Sequence, residues 1–283
     1  MPYDGPVSRT TDLAPRKALG QHWLTDRNAL RRIAAAANFS AEDTVIEVGA
    51  GKGALTRLLA GRARRLIAVE IDPRLTARLR TAFAGRPNVT IVETDVLETS
   101  LEELLESGGG LPYVVVGNLP YFIGSAIVRR FLEAPVRPRW LIVTLQEEVA
   151  ESMAAAPGRM TYLSVEVQTR ALPRILFHLP PRAFTPPPKV RSAVLRLDVP
   201  DTPEIEVDDR QAFLSLARAG FAAPRKRVRN SLAVGLRVTA PEAAAILAEA
   251  GIDPDKRPAQ LALAEWRQLY FAYRRHEAMA RKA

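Results

Sequence analysis

The chain predicts an α/β fold, a mostly parallel Rossmann-like sheet followed by a small helical C-terminal domain. Three observations carry this. Short apolar, β-branched runs alternate with helix-like stretches between Asp43 and Leu145, a glycine-rich loop follows the first of these runs, and the last quarter of the chain has helical periodicity. Alternating strands and helices bury a parallel sheet between two helical layers through right-handed crossovers.

Each element has its own signal. Thr44-Val45-Ile46-Glu47-Val48 reads as the first strand of this sheet, Ala54 to Ala60 as a helix and Arg65 to Glu70 as the second strand. Val89 to Glu93, Tyr113 to Gly117 and Trp140 to Thr144 are the third, fourth and fifth, all short β-branched or aromatic runs. Ile175 to Leu179 and Ser192 to Leu197 are expected to close the sheet. Between them lie Pro180-Pro181 and Pro186-Pro187-Pro188, and three consecutive prolines impose a stiff, extended connection. The acidic, Pro-containing stretch Pro200 to Asp209 then separates residues 1–200 from residues 201–283. Helices are expected over Arg210 to Phe221, Arg225 to Leu236, Pro241 to Ala250 and Pro258 to Arg275, the last two with proline in the first turn.

Composition narrows the function. The 283 residues contain no cysteine, which removes disulfides, thiolate metal sites and thiol nucleophiles. The three histidines, His22, His178 and His276, are too scattered to form a metal cluster by spacing, so no metal is expected. No apolar stretch has the length of a membrane span, and Met1 to Trp23 lacks the apolar centre of a signal peptide, so the expected location is cytoplasmic, with no membrane partner. Of the formal charge of +9, residues 209–283 carry +7, from fourteen Lys or Arg against seven Asp or Glu. A basic end of this kind suits a polyanion, and nucleic acid before lipid because no amphipathic apolar face accompanies the charge. Arg225, Lys226, Arg227 and Arg229, taken as lying within one and a half turns of a helix, are the expected phosphate contacts.

The candidate site follows from the strand ends. Glu47-Val48-Gly49-Ala50-Gly51-Lys52-Gly53 joins the first strand to its helix, where glycines let backbone approach a ligand closely. Glu70 ends the second strand, placed to accept both hydroxyls of a ribose, and Asp95 follows the third, toward the base of a nucleoside ligand. This combination fits S-adenosylmethionine. A nicotinamide dinucleotide stays open, since Ala54 could stand as the third small residue of a dinucleotide fingerprint. Asn118-Leu119-Pro120-Tyr121 follows the fourth strand, and a side-chain amide beside an aromatic ring suits a planar base with an exocyclic amine.

These motifs, with Lys17-Ala18-Leu19-Gly20-Gln21-His22-Trp23-Leu24-Thr25-Asp26, Gln146 to Ala150, Phe184-Thr185-Pro186-Pro187-Pro188-Lys189-Val190, Arg229 to Leu232 and Gly251 to Pro254, run nearly end to end. Together they resemble the KsgA/RsmA family of small-subunit ribosomal RNA adenine N6-dimethyltransferases. The resemblance implies a class I methyltransferase sheet with S-adenosylmethionine as cofactor. It also implies action on two adjacent adenines in the 3′-terminal hairpin loop of 16S rRNA, within an immature 30S particle, by a monomer. Carried over position by position, it implies cofactor binding by His22, Leu24, Gly49, Gly51, Glu70, Asp95 and Asn118. Asn118 with a backbone carbonyl of Leu119 or Pro120 would hold the target amine, and Tyr121 and Phe184 would stack on the two faces of the base. His22, Trp23, Ala50 and Phe122 depart from the commoner Asn, Phe, Pro and Asn at these positions, and the stretch around Tyr162-Leu163 is shorter than usual. The alternative function is a ribosome-assembly or transcription-associated RNA-binding protein in which methyl transfer is secondary.

Overall fold

The computed structural model describes residues 13–16, 19–40, 42–108 and 110–280. The segment read for a signal peptide, and Lys17 and Ala18 of the N-terminal motif, fall wholly or partly outside these residues. Among the described residues no single helix is long and apolar enough to cross a membrane.

A seven-stranded sheet organises the first two thirds of the chain, in the order β4-β3-β2-β5-β6-β9-β7. Its parallel part consists of β2 (Thr44–Val48), β3 (Arg65–Glu70), β4 (Val89–Glu93), β5 (Tyr113–Asn118) and β6 (Trp140–Gln146). The antiparallel strands β9 (Ser192–Asp198) and β7 (Leu172–Leu179) extend the β6 edge. All five residues of β2 are buried, as expected of a central strand covered on both faces. β7 begins three residues before the Ile175 expected from sequence, because at the sheet edge Pro173 costs no ladder bond.

Side chains alternate along each strand, so the sheet supports two apolar clusters. Ile46, Val48, Ile67, Val115, Leu141 and Val143 pack with Ile127 and Phe131 of α5 (Gly124–Glu133), whereas Val45, Leu66, Ala68, Val114 and Ile142 pack with Leu30 and Ile33 of α1 (Arg27–Ala36) and Leu55 and Leu59 of α2 (Ala54–Ala60). Helix starts are set by side-chain caps. Asp26 accepts the Ala29 amide (2.9 Å) ahead of α1, and Asp72 accepts that of Arg74 (3.1 Å) ahead of α3 (Pro73–Phe83), where Pro73 fills the first turn. The proline-rich connection contains one short 3-10 turn, Pro181–Ala183, before β8 (Phe184–Thr185) pairs with β1 (Trp23–Leu24).

The tail has its own apolar cluster, in which Phe213 and Leu216 of α8 (Arg210–Gly220), Leu232 of α9 (Val228–Leu236), Ile246 of α10 (Ala240–Glu249) and Trp266 and Tyr270 of α11 (Leu263–Ala280) meet. Met160 and Val165 join this cluster from the earlier part of the chain, so α7 (Tyr162–Gln168) serves both layers. Polar contacts reinforce the junction: Arg210 reaches Glu133 (3.2 Å) and the Glu166 carbonyl (3.2 Å), and Arg218 donates to the Tyr162 hydroxyl (3.1 Å).

Candidate active site

The strand order reverses between β2 and β5, and there the crossovers leave on opposite faces and open a cleft beyond the carboxyl ends of the strands. The cleft is bounded by Gly49, Gly51, Glu70, Asp95 and Asn118 to Tyr121, with His22 and Trp23 on the N-terminal side. Folding thus unites residues separated by almost a hundred positions.

The glycine loop is built for close approach. Gly49 has φ 74°, and a Cβ there would lie 3.2 Å from the Asn118 carbonyl; Gly51 has φ 56° and would meet the Trp23 ring at 3.0 Å. A side chain at either position is strained and would close the gap between loop and strand ends. Glu70 is 6% exposed. Its carboxylate is aimed by three backbone donors, the amides of Gly51 (2.8 Å), Ile71 (3.0 Å) and Asp72 (3.0 Å). Burial raises its pKa, and these amides act in the opposite direction. Four lone-pair directions and three protein donors leave capacity for a ligand hydroxyl. Asp95 accepts the Leu97 amide at 2.8 Å, so its turn presents the carboxylate to the cleft.

Asn118 ends β5. Its Nδ2 donates to the His22 carbonyl (2.9 Å), which holds the amide plane, while its Oδ1 is buried and has no hydrogen-bond partner among the described residues. An unmet buried acceptor is costly unless a ligand supplies the donor. The His22 ring stacks on Tyr121 at 5.6 Å between centroids, and its Nδ1 donates to the Pro186 carbonyl (2.7 Å), which leaves Nε2 for a ligand. The Tyr121 hydroxyl bonds to Ser192 Oγ (2.6 Å), and burial raises its pKa.

Three site expectations need correction. Phe184 is not at the mouth of the cleft: it is 2% exposed and sits in the α1-side core, because its pairing with Leu24 turns Phe184 inward and Thr185 outward. The Leu24 side chain goes the same way, so any contact from Leu24 to a cofactor is through its backbone. Arg225, Lys226 and Arg227 are not helical, since α9 starts only at Val228, past the turn that follows Pro224. All three are exposed, and Arg227 and Arg229 share Asp255 (3.0 and 2.8 Å), which reduces the charge they offer. The metal argument from spacing also fails in one place. Folding brings His178 together with Glu147 and Glu151, but Glu147 is already paired with His178 (2.7 Å) and Arg191 (3.3 Å), and that guanidinium competes with any cation.

Sequence reasoning missed Ile71 and Val96 as cleft walls and Gln21 as a brace. The first two are apolar residues directly after the strand-end carboxylates, a signal that could have found them. Gln21 donates to Asp72 (3.2 Å), which is fully buried and itself donates its amide to Glu70. No local pattern announces that contact.

A sheet of this order with a glycine turn, a buried strand-end carboxylate and a strand-end amide defines a class I S-adenosylmethionine-dependent methyltransferase. A family model described as "Ribosomal RNA adenine dimethylase" matches residues 13–273, and the chain belongs to that family. It is 43% identical over 261 residues to "Ribosomal RNA small subunit methyltransferase A" of Dehalococcoides mccartyi (strain CBDB1), covering 92% of this chain and 89% of the relative. The protein of the same name from Geobacter sulfurreducens is 41% identical, with 92% and 96% covered. Among solved structures, the 23S rRNA methyltransferase ErmE superposes with a TM-score of 0.71 at 32% identity, over 88% of this chain and 98% of that one. A dimethyladenosine transferase from Plasmodium falciparum shares the fold, with a TM-score of 0.76 at 21% identity over 90% and 98% of the two chains.

Proposed function

We propose that the chain transfers methyl groups from S-adenosylmethionine to N6 of two adjacent adenines in the 3′-terminal hairpin loop of 16S rRNA, within an immature 30S particle in the cytoplasm, acting as a monomer without a metal. The observation that carries this reading is the buried, unpartnered Oδ1 of Asn118 at the end of β5, an acceptor waiting for an amine. The small-subunit assignment is supported by relatives named for that subunit at over 40% identity, against 32% for the 23S enzyme.

The amine of adenine is a weak nucleophile because its lone pair is delocalised into the ring. Donation of its hydrogens to Asn118 Oδ1 and to the carbonyl of Leu119 or Pro120 favours a pyramidal nitrogen with a directed lone pair. Pro120's carbonyl already accepts the Ile123 amide (3.2 Å), which makes Leu119 the better second acceptor. These acceptors are fixed before the reaction, so stabilising the transition state costs little reorganisation. The cofactor supplies an electrophilic sulfonium methyl. Glu70 and Asp95 hold its nucleoside, Gly49 and Gly51 admit it, His22 Nε2 faces its amino-acid end, and Tyr121 stacks on the target base with the ring face that His22 does not cover. In this reading residues 1–200 perform the chemistry, and residues 201–283 dock on RNA through Arg225, Lys226, Arg227 and Arg229.

The test is to incubate the protein and the cofactor with small subunits whose rRNA is unmethylated, and to analyse the nucleosides by mass spectrometry. N6,N6-dimethyladenosine at two neighbouring positions is expected. Asn118→Ala should lower the rate about a hundredfold or more, as for loss of one fixed hydrogen-bonding group at a reacting centre, with cofactor affinity nearly unchanged. Methylation confined to large subunits, or undiminished by Asn118→Ala, would refute the assignment.

A further inference from the structure

Phe122 is the one aromatic ring among the large apolar side chains left exposed in the described residues, at 63%. It stands immediately after Tyr121, on the same turn that carries Asn118. We infer that Phe122 is a stacking platform for the nucleobase next to the one held in the cleft, a purine-favouring contact that this chain adds at a position where Asn is commoner. The inference rests on the reaction proposed above and concerns the base which that reaction leaves outside.

The turn sends its two rings in different directions. Tyr121 is directed inward, against His22 and Ser192, whereas Phe122 is directed outward. Phe122 is also held in place. The bond from the Ile123 amide to the Pro120 carbonyl closes the turn around it, α5 starts two residues later at Gly124, and one edge of the ring lies so close to Gly20 that any side chain there would run into it. A ring fixed at its edge with its remaining surface in solvent is not filling a core, and presentation to a flat partner is the use that geometry allows. The partner follows from continuity with the cleft, since Gly20, Tyr121 and Ile123 line the cleft wall and the Phe122 ring lies between them against Gly20. One acceptor amide can serve one adenine at a time. With two adjacent substrates, the adenine awaiting its turn is unstacked from its neighbour and gains a new stacking partner in Phe122. Ring stacking needs no hydrogen-bond readout, and it favours the larger π-surface of a purine over a pyrimidine.

The experiment uses the full chain, Phe122→Ala, Phe122→Leu and Phe122→Trp with unmethylated small subunits. Affinity for subunits is measured by sedimentation, KM by methyl transfer, cofactor affinity by calorimetry and folding by thermal melting. Ala and Leu should both weaken subunit affinity and raise KM about five- to 150-fold, the range for losing one base–aromatic stack. Trp should keep both values, and none of the three should alter cofactor affinity. Subunits with either adenine replaced by uridine should bind the wild type more weakly and be insensitive to Phe122→Ala. The inference is overturned if Leu behaves as Phe, which would make the ring a packing group, or if the loss lies in cofactor affinity, which would assign it to bracing Gly20. Subunit binding needs no turnover. A wild type that binds with this Phe122 dependence but transfers no methyl would refute the proposed reaction, whereas an active wild type indifferent to Phe122→Ala would refute only the platform.

Discussion

Glu47 is a carboxyl in the middle of the sheet with no ion-pair partner among the described residues. It is 1% exposed, its Cα is paired across to Ala68 and Val116, and neither its Oε2 nor the neighbouring Thr56 Oγ1 has a hydrogen-bond partner. Burial, with the nearby Glu70 carboxylate adding to it, pushes the Glu47 pKa up to about 8, while the approach of Thr56 offsets part of the rise. The group is therefore neutral at pH 7 in the folded chain and ionised in the unfolded one. Between the unfolded value of 4.5 and the folded value of about 8 the native state binds the extra proton. Stability from this group is accordingly full below pH 4.5 and declines as pH rises through that window. The slope approaches about 1.4 kcal/mol per pH unit, so that from pH 5 to 7 the loss is on the order of 2.5 kcal/mol. Glu47→Gln keeps the shape of the neutral carboxyl and removes the titration. Thermal melting of both proteins without ligand at pH 5, 6 and 7 should show the Gln variant gaining on the wild type by roughly 5–10 °C across the series, at about 2–4 °C per kcal/mol for a chain of this size. Parallel melting curves across that range would refute the reasoning, because they would require Glu47 to be charged in the folded sheet.

Glu70→Gln should weaken S-adenosylmethionine binding at least about tenfold by calorimetry, as expected when a charged acceptor is replaced by a neutral one; unchanged binding would remove Glu70 from the ribose site. Tyr121→Phe should lose the bond to Ser192, about 1 kcal/mol of stability, and keep most activity, whereas Tyr121→Ala should be severely impaired; equal losses of activity would point to the hydroxyl and not the ring. Replacing Arg225, Lys226 and Arg227 together by Gln should flatten the dependence of log affinity for small subunits on log salt by about 0.7 to 0.9 per lost phosphate contact. An unchanged slope in a folded triple variant would leave docking to the rest of the chain.

The central strands were legible because they are short and buried on both faces, and the half-buried edge strand β4 because its run is β-branched. Thr44–Val48, Arg65–Glu70 and Val89–Glu93 coincide with the expected runs. The strand-end residues Glu70, Asp95 and Asn118 were legible for a related reason, since topology dictates where strand ends converge whatever the intervening sequence. Errors arose where position depends on a partner far along the chain. Phe184 follows a proline-rich loop that suggests exposure, yet pairing with Leu24, 160 residues earlier, turns it into the core. The basic cluster failed on a competition in which good helix formers at Arg225 to Arg227 yield to a turn closed by the Lys226 amide on the Ala223 carbonyl (2.9 Å), while the Val228 amide is held by the distant Lys256 carbonyl (2.7 Å).

The N-terminal strap explains why contacts that sequence could not show matter most for the site. The His22 carbonyl holds the Asn118 amide, the His22 ring lies on Tyr121, and its Nδ1 is anchored on Pro186, so a single residue touches both groups assigned to the target base. One position earlier, Gln21 reaches Asp72, which the Arg74 guanidinium holds ionised with a pKa of about 2 and whose amide aims Glu70. The strap thus bonds to the Glu70 end of the cleft through Gln21 and to the Asn118 end through His22, two consecutive residues. Neither end can be displaced without pulling on the other, which ties the placement of Glu70 to the orientation of the Asn118 amide. The unpartnered Asn118 Oδ1 is the cost of that arrangement: its amide is locked by the strap in the direction the reaction needs, and its carbonyl oxygen cannot turn away to find another donor.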